Sequence, residues 1–216
     1  MKTDIQIRKD VIAELDFDPR LDAEAIGVTV EHGVVTLTGH VPNYAQKVAA
    51  ENAAKRVSRV RGVAQDIEVR FAASSPHDDT EIAERAANIL SWNVFQPKDG
   101  VKVRVEKGWV TLRGEVTWNY QRADAESAIR RLTGVIGVSN LITVRANVAP
   151  NDIKRRITTA LHRNAQLDAT SVDVVVEGGK VTLNGKVRSL VDRDIAETAA
   201  WATPGVMQVT DNILVQ

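Results

Sequence analysis

Cysteine is absent from all 216 residues, which removes disulfides, thiolate metal sites and cysteine nucleophiles. Neither charge is in excess: 28 Lys and Arg stand against 28 Asp and Glu. A chain without a basic surplus does not read as a nucleic-acid binder, and long-range steering toward a charged partner is weak. No apolar run approaches the ~20 residues that a transmembrane helix needs, so the chain is not transmembrane. The segment Met1–Asp10 is charged and amphipathic, with neither the apolar stretch nor the cleavage pattern of a signal peptide. The expectation is a soluble, cytoplasmic protein as given, or a periplasmic one if the chain is a processed form.

Catalytic patterns are missing as well. No Gly-x-Ser-x-Gly elbow occurs, and no Asp/Glu cluster has metal-ligand spacing. The stretch from Gly178 to Lys186 has the wrong spacing for a phosphate loop and lies along a hairpin strand. His32, His40, His77 and His162 do not recur in register, and the pair near one hairpin, His32 and His40, reads as two surface histidines. The expectation is no enzyme, with no catalytic, cofactor-binding or metal-binding residues.

What the chain does contain is a repeat. Gly33-Val34-Val35-Thr36-Leu37-Thr38-Gly39 returns as Gly108-Trp109-Val110-Thr111-Leu112-Arg113-Gly114 and as Gly179-Lys180-Val181-Thr182-Leu183-Asn184-Gly185. The spacing sets three units of about 70 residues, 1–73, 77–147 and 150–216. Counted by unit, the net charge is −1, +1 and 0.

Aligning the Val-Thr-Leu cores brings the rest into register. Ile7, Val11 and Leu15, then Ile82, Ala86 and Leu90, then Ile153, Ile157 and Leu161 form i, i+4, i+8 stripes of an amphipathic helix. Asp4, Asp79 and Asn151 precede these stripes as candidate N-caps. Period-two strands follow, with Ile26, Val28 and Val30 inward, then Val101, Val103 and Val105, then Val172, Val174 and Val176. The turns His32-Gly33, Lys107-Gly108 and Gly178-Gly179 close hairpins onto the Val-Thr-Leu strands. A second helix presents Ala50, Ala53 and Ala54, then Ala125, Ala128 and Ile129, then Ala196, Ala199 and Ala200. A valine-rich strand ends each unit. The fold expected is α+β: three tandem α-β-β-α-β units, each a small mixed three-stranded sheet with two helices on one face. The linkers, 72–77 and 146–150, are short, so the three units are expected to pack on one another. Gly39, Gly114 and Gly185 interrupt a strand, which implies a bulge or a close approach of the helix backbone.

This unit, with Gly-x-Val-Thr-Leu-x-Gly-x-Val, a helix and then Gly-Val-x-x-Val before the last strand, resembles the BON domain, the bacterial osmotic-stress and nodulation module. The resemblance covers essentially the whole chain. It implies a non-enzymatic, stress-related protein that contacts phospholipid headgroups or an envelope protein. It also marks Gly39, Gly114 and Gly185, and Gly62, Gly137 and Gly205, as family-motif glycines. The second unit holds both Gly134 and Gly137, whereas Arg59 and Gln208 replace one glycine each in the first and third.

Aromatic residues are few, at 4%, and unevenly placed. Trp92, Trp109 and Trp118 fall in the second unit, with Tyr120 beside Trp118 and Arg104, Arg113 and Arg122 nearby. Trp109 is out of phase with inward Val110 and should point to the other sheet face. Such rings either fill contacts between units or form an interfacial surface. The candidate binding surface is therefore Trp109, Trp118, Tyr120, Arg113 and Arg122. The basic runs Lys55-Arg56-x-x-Arg59-x-Arg61, Arg130-Arg131 and Lys154-Arg155-Arg156 read as solvated helix ends that could also meet headgroups. The alternative to a lipid or envelope contact is a cytoplasmic protein-interaction scaffold or small-ligand sensor. An oligomer is compatible with either.

Overall fold

In the computed structural model, residues 3–71, 78–92, 100–145, 152–164 and 171–216 are described. Asn151, His77 and the linkers 72–77 and 146–150 lie outside them. The first repeat runs α1 (Asp4–Phe17), β1 (Ile26–Glu31), β2 (Val34–Val41), α2 (Tyr44–Arg56) and β3 (Gly62–Val69). The second runs α3 (Asp79–Trp92), β4 (Val101–Glu106), β5 (Trp109–Val116), α4 (Asn119–Ile129) and β6 (Gly137–Val144). The third runs α5 (Ile153–Arg163), β7 (Val172–Glu177), β8 (Lys180–Val187), α6 (Leu190–Trp201) and β9 (Gln208–Val215).

Each repeat therefore builds its own three-stranded sheet, with the Val-Thr-Leu strand in the middle. The hairpin pairs are antiparallel, with Val28 opposite Leu37, Val103 opposite Leu112 and Val174 opposite Leu183. The last strand joins parallel in the second and third repeats, where Leu112 faces Asn140 and Leu183 faces Asp211. This is the mixed sheet that the α-β-β-α-β order predicts.

All three helical stripes are buried as the spacing requires, from Ile7, Val11 and Leu15 through Ile153, Ile157 and Leu161. In the second repeat Ile82, Ala86 and Leu90 of α3 and Ala125 and Ile129 of α4 share one core with Val110, Leu112 and Val116. Both helices thus cover the same face of that sheet. The small residues of the second helices let them lie close: Ala50, Ala53, Ala54, Ala125, Ala196 and Ala200 are buried, while Ala128 and Ala199 are half-buried.

The chain divides into two compact units. One joins the first and third repeats (1–41, 46–68 and 148–216); the other holds 42–45 and 69–147. Docking of the first repeat on the third is a pairing that sequence order does not suggest.

Two local readings are corrected. Asp4 does not cap its own helix; Thr3 caps α1, its hydroxyl accepting from Gln6 N–H at 3.3 Å. Instead, the Asp4 carboxylate accepts from His32 N–H at 2.8 Å and Gly33 N–H at 3.0 Å in the β1–β2 turn. Asp79 does the same for Lys107 and Gly108, at 2.7 and 2.8 Å. The reason lies in the turn: His32 and Lys107 are L-residues at φ 51°, and the carboxylate holds both backbone N–H groups in place. In the third repeat a glycine, Gly178 at φ 59°, takes that position.

The second correction concerns Gly39, Gly114 and Gly185. What comes close is not either α-helix but the residue just before the first strand, which in the first repeat ends the short 3-10 turn Ala23–Ala25. A Cβ would lie 2.1 Å from the Ala25 carbonyl oxygen, 1.9 Å from that of Gly100 and 2.0 Å from that of Ser171. The loop after α1 carries a further fixed group. Asp18, 6% exposed, accepts from Arg20 N–H at 3.1 Å and from the guanidinium Nε at 2.8 Å. Those bonds from Arg20 hold its carboxyl down at about 2.

Candidate functional site

With α3 and α4 on one face, the other face of the second sheet is open, and alternation along each strand decides what it shows. On β5 the residues out of phase with Val110 and Leu112 are Trp109, Thr111, Arg113 and Glu115. The antiparallel register sets Glu106 beside Trp109, Arg104 beside Thr111 and Lys102 beside Arg113. The parallel register adds Gly137, Ser139, Leu141 and Thr143 on the far side. Lys102, Arg113 and Leu141 therefore form one row across three strands, roughly 5 Å apart. Trp109 lies about 13 Å along the sheet from that row.

Trp109 is held rather than loose. Its indole Nε1 donates to Ser139 Oγ at 2.9 Å, which draws the ring across β6. The ring can lie there only because residue 137 is glycine: a Cβ at Gly137 would stand 2.4 Å from the indole six-membered ring. The ring keeps 47% exposure and Leu141 keeps 52%, so both are apolar groups left to solvent on a sheet face. Trp109 also borders a shallow depression of about 400 Å³ with Arg104, Glu106, Lys107, Thr111 and Ile136. Arg104 is bonded to Glu106 at 2.9 Å, both largely exposed, so the pair holds Arg104 weakly. Lys102 and Arg113 have no ion pair among the described residues.

Trp118, Tyr120 and Arg122 stand elsewhere. Trp118 is half-buried at the N-cap of α4, at the opposite end of β5 from Trp109. Its backbone N–H and that of Thr117 donate to Gln121 Oε1 at 3.0 and 3.1 Å, which fixes the turn into the helix. Tyr120 is 50% exposed in the first turn of α4. Arg122, on the same helix, is half-buried, and its carbonyl accepts from Asn140 Nδ2 at 2.8 Å. The five candidates thus make two surfaces: Trp109 with Arg113 on the open sheet, and Trp118, Tyr120 and Arg122 at the start of α4. Lys102 and Leu141 were not singled out in the sequence. Lys102 was legible as the off-phase neighbour of inward Val101 and Val103, whereas Leu141 needed the register of β6.

The equivalent faces of the other sheets differ. In the first repeat Glu31, Asp66 and Glu68 occupy it, and in the third Glu177 stands beside Lys180 and Asp173 beside Asn184. The motif glycines also sort into three positions. Gly39, Gly114 and Gly185 make room for backbone. Gly205, at φ 94°, shares its place with Gly134 and with Arg59. Gly62 and Gly137 open the last strand, and only Gly137 has a side chain pressed on it, since a Cβ at Gly62 would meet nothing nearer than Val34 at 3.9 Å. No cluster of three or more His, Asp and Glu side chains able to hold a metal occurs among the described residues, and no described helix is long and apolar enough to cross a membrane.

Comparison with known proteins bears on the whole chain. The BON domain profile matches three times, at residues 3–70, 78–146 and 151–216. The osmotically-inducible protein Y of Escherichia coli (strain K12) is 32% identical over 142 residues, covering 63% of this chain and 70% of that protein. Among solved structures, the C-terminal domain of CdsD, the structural protein of the type III secretion system of Chlamydia trachomatis, is 17% identical. It covers 100% of both chains at a TM-score of 0.27, too low to support a shared arrangement.

Proposed function

The chain belongs to the BON domain family, and from that premise we propose that it is a stress-related, non-catalytic binding protein. Its second repeat meets anionic phospholipid headgroups through the open face of the sheet. The observation that carries this reading is the company Trp109 keeps: an exposed ring and exposed Leu141 among Lys102, Arg104 and Arg113. An aromatic with a polar N–H suits the boundary between headgroup and acyl chain, and long basic side chains reach the phosphates around it. Lys102 and Arg113, which have no ion pair among the described residues, contribute about 1 kcal/mol each near an anionic surface, enough to raise association roughly thirtyfold. The contact is peripheral, and the likeness to an osmotically-inducible protein favours a role in osmotic stress.

Co-sedimentation with phosphatidylglycerol and phosphatidylcholine vesicles at low and high salt tests this. The expected result is binding to the anionic vesicles alone, weakened by salt, by Trp109→Ala and by Arg113→Gln. Trp118→Ala in parallel separates the two surfaces: a loss there moves the contact to the start of α4. If the protein stays in the supernatant under every condition, the headgroup reading is refuted and the open face belongs to a protein partner.

A further inference from the structure

A second surface, wholly inside the unit formed by the first and third repeats, has a chemistry of its own. Where the two repeats dock lies a cavity of about 300 Å³ lined by Arg59, Ser171, Lys186, Arg188, Asp192 and Gln216. Three of these side chains are cationic and one is acidic. Elsewhere basic side chains find acids: Arg20 with Asp18, Lys55 with Glu51, Arg56 with Glu14, Arg193 with Asp211. The side chains of Arg59, Lys186 and Arg188 have no such partner among the described residues.

The cations are not inherited from the repeat. Lys186 stands where the second repeat has Glu115, and Arg188 where it has Thr117. Arg59 stands where the other repeats have Gly134 and Gly205, whose φ angles are 92° and 94°. Arg59 itself sits at φ 75°, a conformation that favours glycine over any L-residue, and its N–H points to the Arg188 carbonyl 3.5 Å away across the seam.

We propose that this seam is a phosphate-binding site assembled by docking of the first repeat on the third, with Arg59, Lys186 and Arg188 as its donors. Guanidinium forks on two of the three make paired, charge-assisted bonds to phosphate oxygens, and Lys186 adds a point charge. Asp192, the one acidic side chain in the lining, supplies an acceptor, which suits a phosphate ester that also carries a hydroxyl. The site is separate from the open sheet face of the second repeat and does not depend on it.

The test is isothermal titration of the full chain with glycerol 3-phosphate and with inorganic phosphate, against chloride at matched ionic strength. Saturable one-to-one binding is expected, weakened about tenfold by Arg59→Gly and by Lys186→Gln, as loss of one charge-assisted bond requires, and unchanged by Arg85→Gln. Arg59→Gly is the decisive variant, because glycine fits φ 75° and the unfolding temperature should hold while affinity falls. No saturable response, or one that Arg59→Gly and Lys186→Gln leave intact, overturns the proposal. Sedimentation of Arg59→Gly with phosphatidylglycerol vesicles identifies the source: a drop means a lipid headgroup enters the cavity, and no change assigns it to a soluble phosphate ester.

Discussion

Replacing Gly114 by alanine is the sharpest probe of how each sheet is closed. Gly114 pairs with Val101 at the end of the β4–β5 ladder and has φ 151°. A Cβ there would stand 1.9 Å from the Gly100 carbonyl oxygen and 3.0 Å from Val101 Cα, both backbone atoms that cannot swing aside. Real Cβ atoms essentially never come nearer than 3.0 Å, so the entry to β4 must retreat by at least about 1 Å. That retreat breaks the bond from Glu115 N–H to the Gly100 carbonyl, 3.2 Å long, and loosens the Val101 pairing. Adding overpacking, a lost ladder bond and an L-residue at this φ gives about 3–5 kcal/mol. A unit of about 70 residues has only about 4–10 kcal/mol in total. Urea unfolding followed by tryptophan emission reports on this repeat, which holds Trp92, Trp109 and Trp118. Gly62→Ala is the control, followed by far-ultraviolet circular dichroism because the first repeat holds no tryptophan; its Cβ meets nothing nearer than 3.9 Å and it should cost under about 0.5 kcal/mol. A loss below about 1 kcal/mol for Gly114→Ala, or equal losses at both sites, would refute the steric argument.

Two further predictions follow from fixed carboxylates. Asp79→Ala removes the acceptor for Lys107 and Gly108 N–H and should cost about 1–2 kcal/mol in urea unfolding. Adding Lys107→Gly should recover part of it, because glycine tolerates φ 51° without help, and a double variant no better than Asp79→Ala would count against the coupling. Asp18 titrates at about 2 in the fold against an ordinary 3.8, so its contribution is full above the ordinary value and vanishes as pH falls through about 2. With Arg20 largely exposed that contribution is small, and Asp18→Asn should lower the unfolding temperature slightly at pH 7 but not near pH 2. Equal losses at both pH values would sink this account.

Much of the architecture is carried by local pattern. The stripe from Ile7 to Leu15, the alternation of Val172, Val174 and Val176, and the glycine turns each satisfy a one-dimensional rule. Those rules act over a few residues, so helix faces, strands, hairpins and the open or covered phase of Trp109 were legible before any coordinates. The need for glycine at 39, 114 and 185 was legible too, but its cause was not, since the carbonyl that excludes a Cβ comes from another segment of chain. The same limit explains Asp4 and Asp79, whose partners lie 28 and 29 residues away. Leu141 joins Arg113 only through the parallel register, and Trp118 parts from Trp109 only because β5 is extended between them. Arg59 meets Arg188 only because the first repeat docks on the third, and nothing in the order of three repeats of one pattern chooses that pair. The sequence by itself determined what each repeat buries, because burial follows from periodicity along one chain. Tertiary structure alone decided which exposed groups became neighbours, because that depends on where separate segments meet in space.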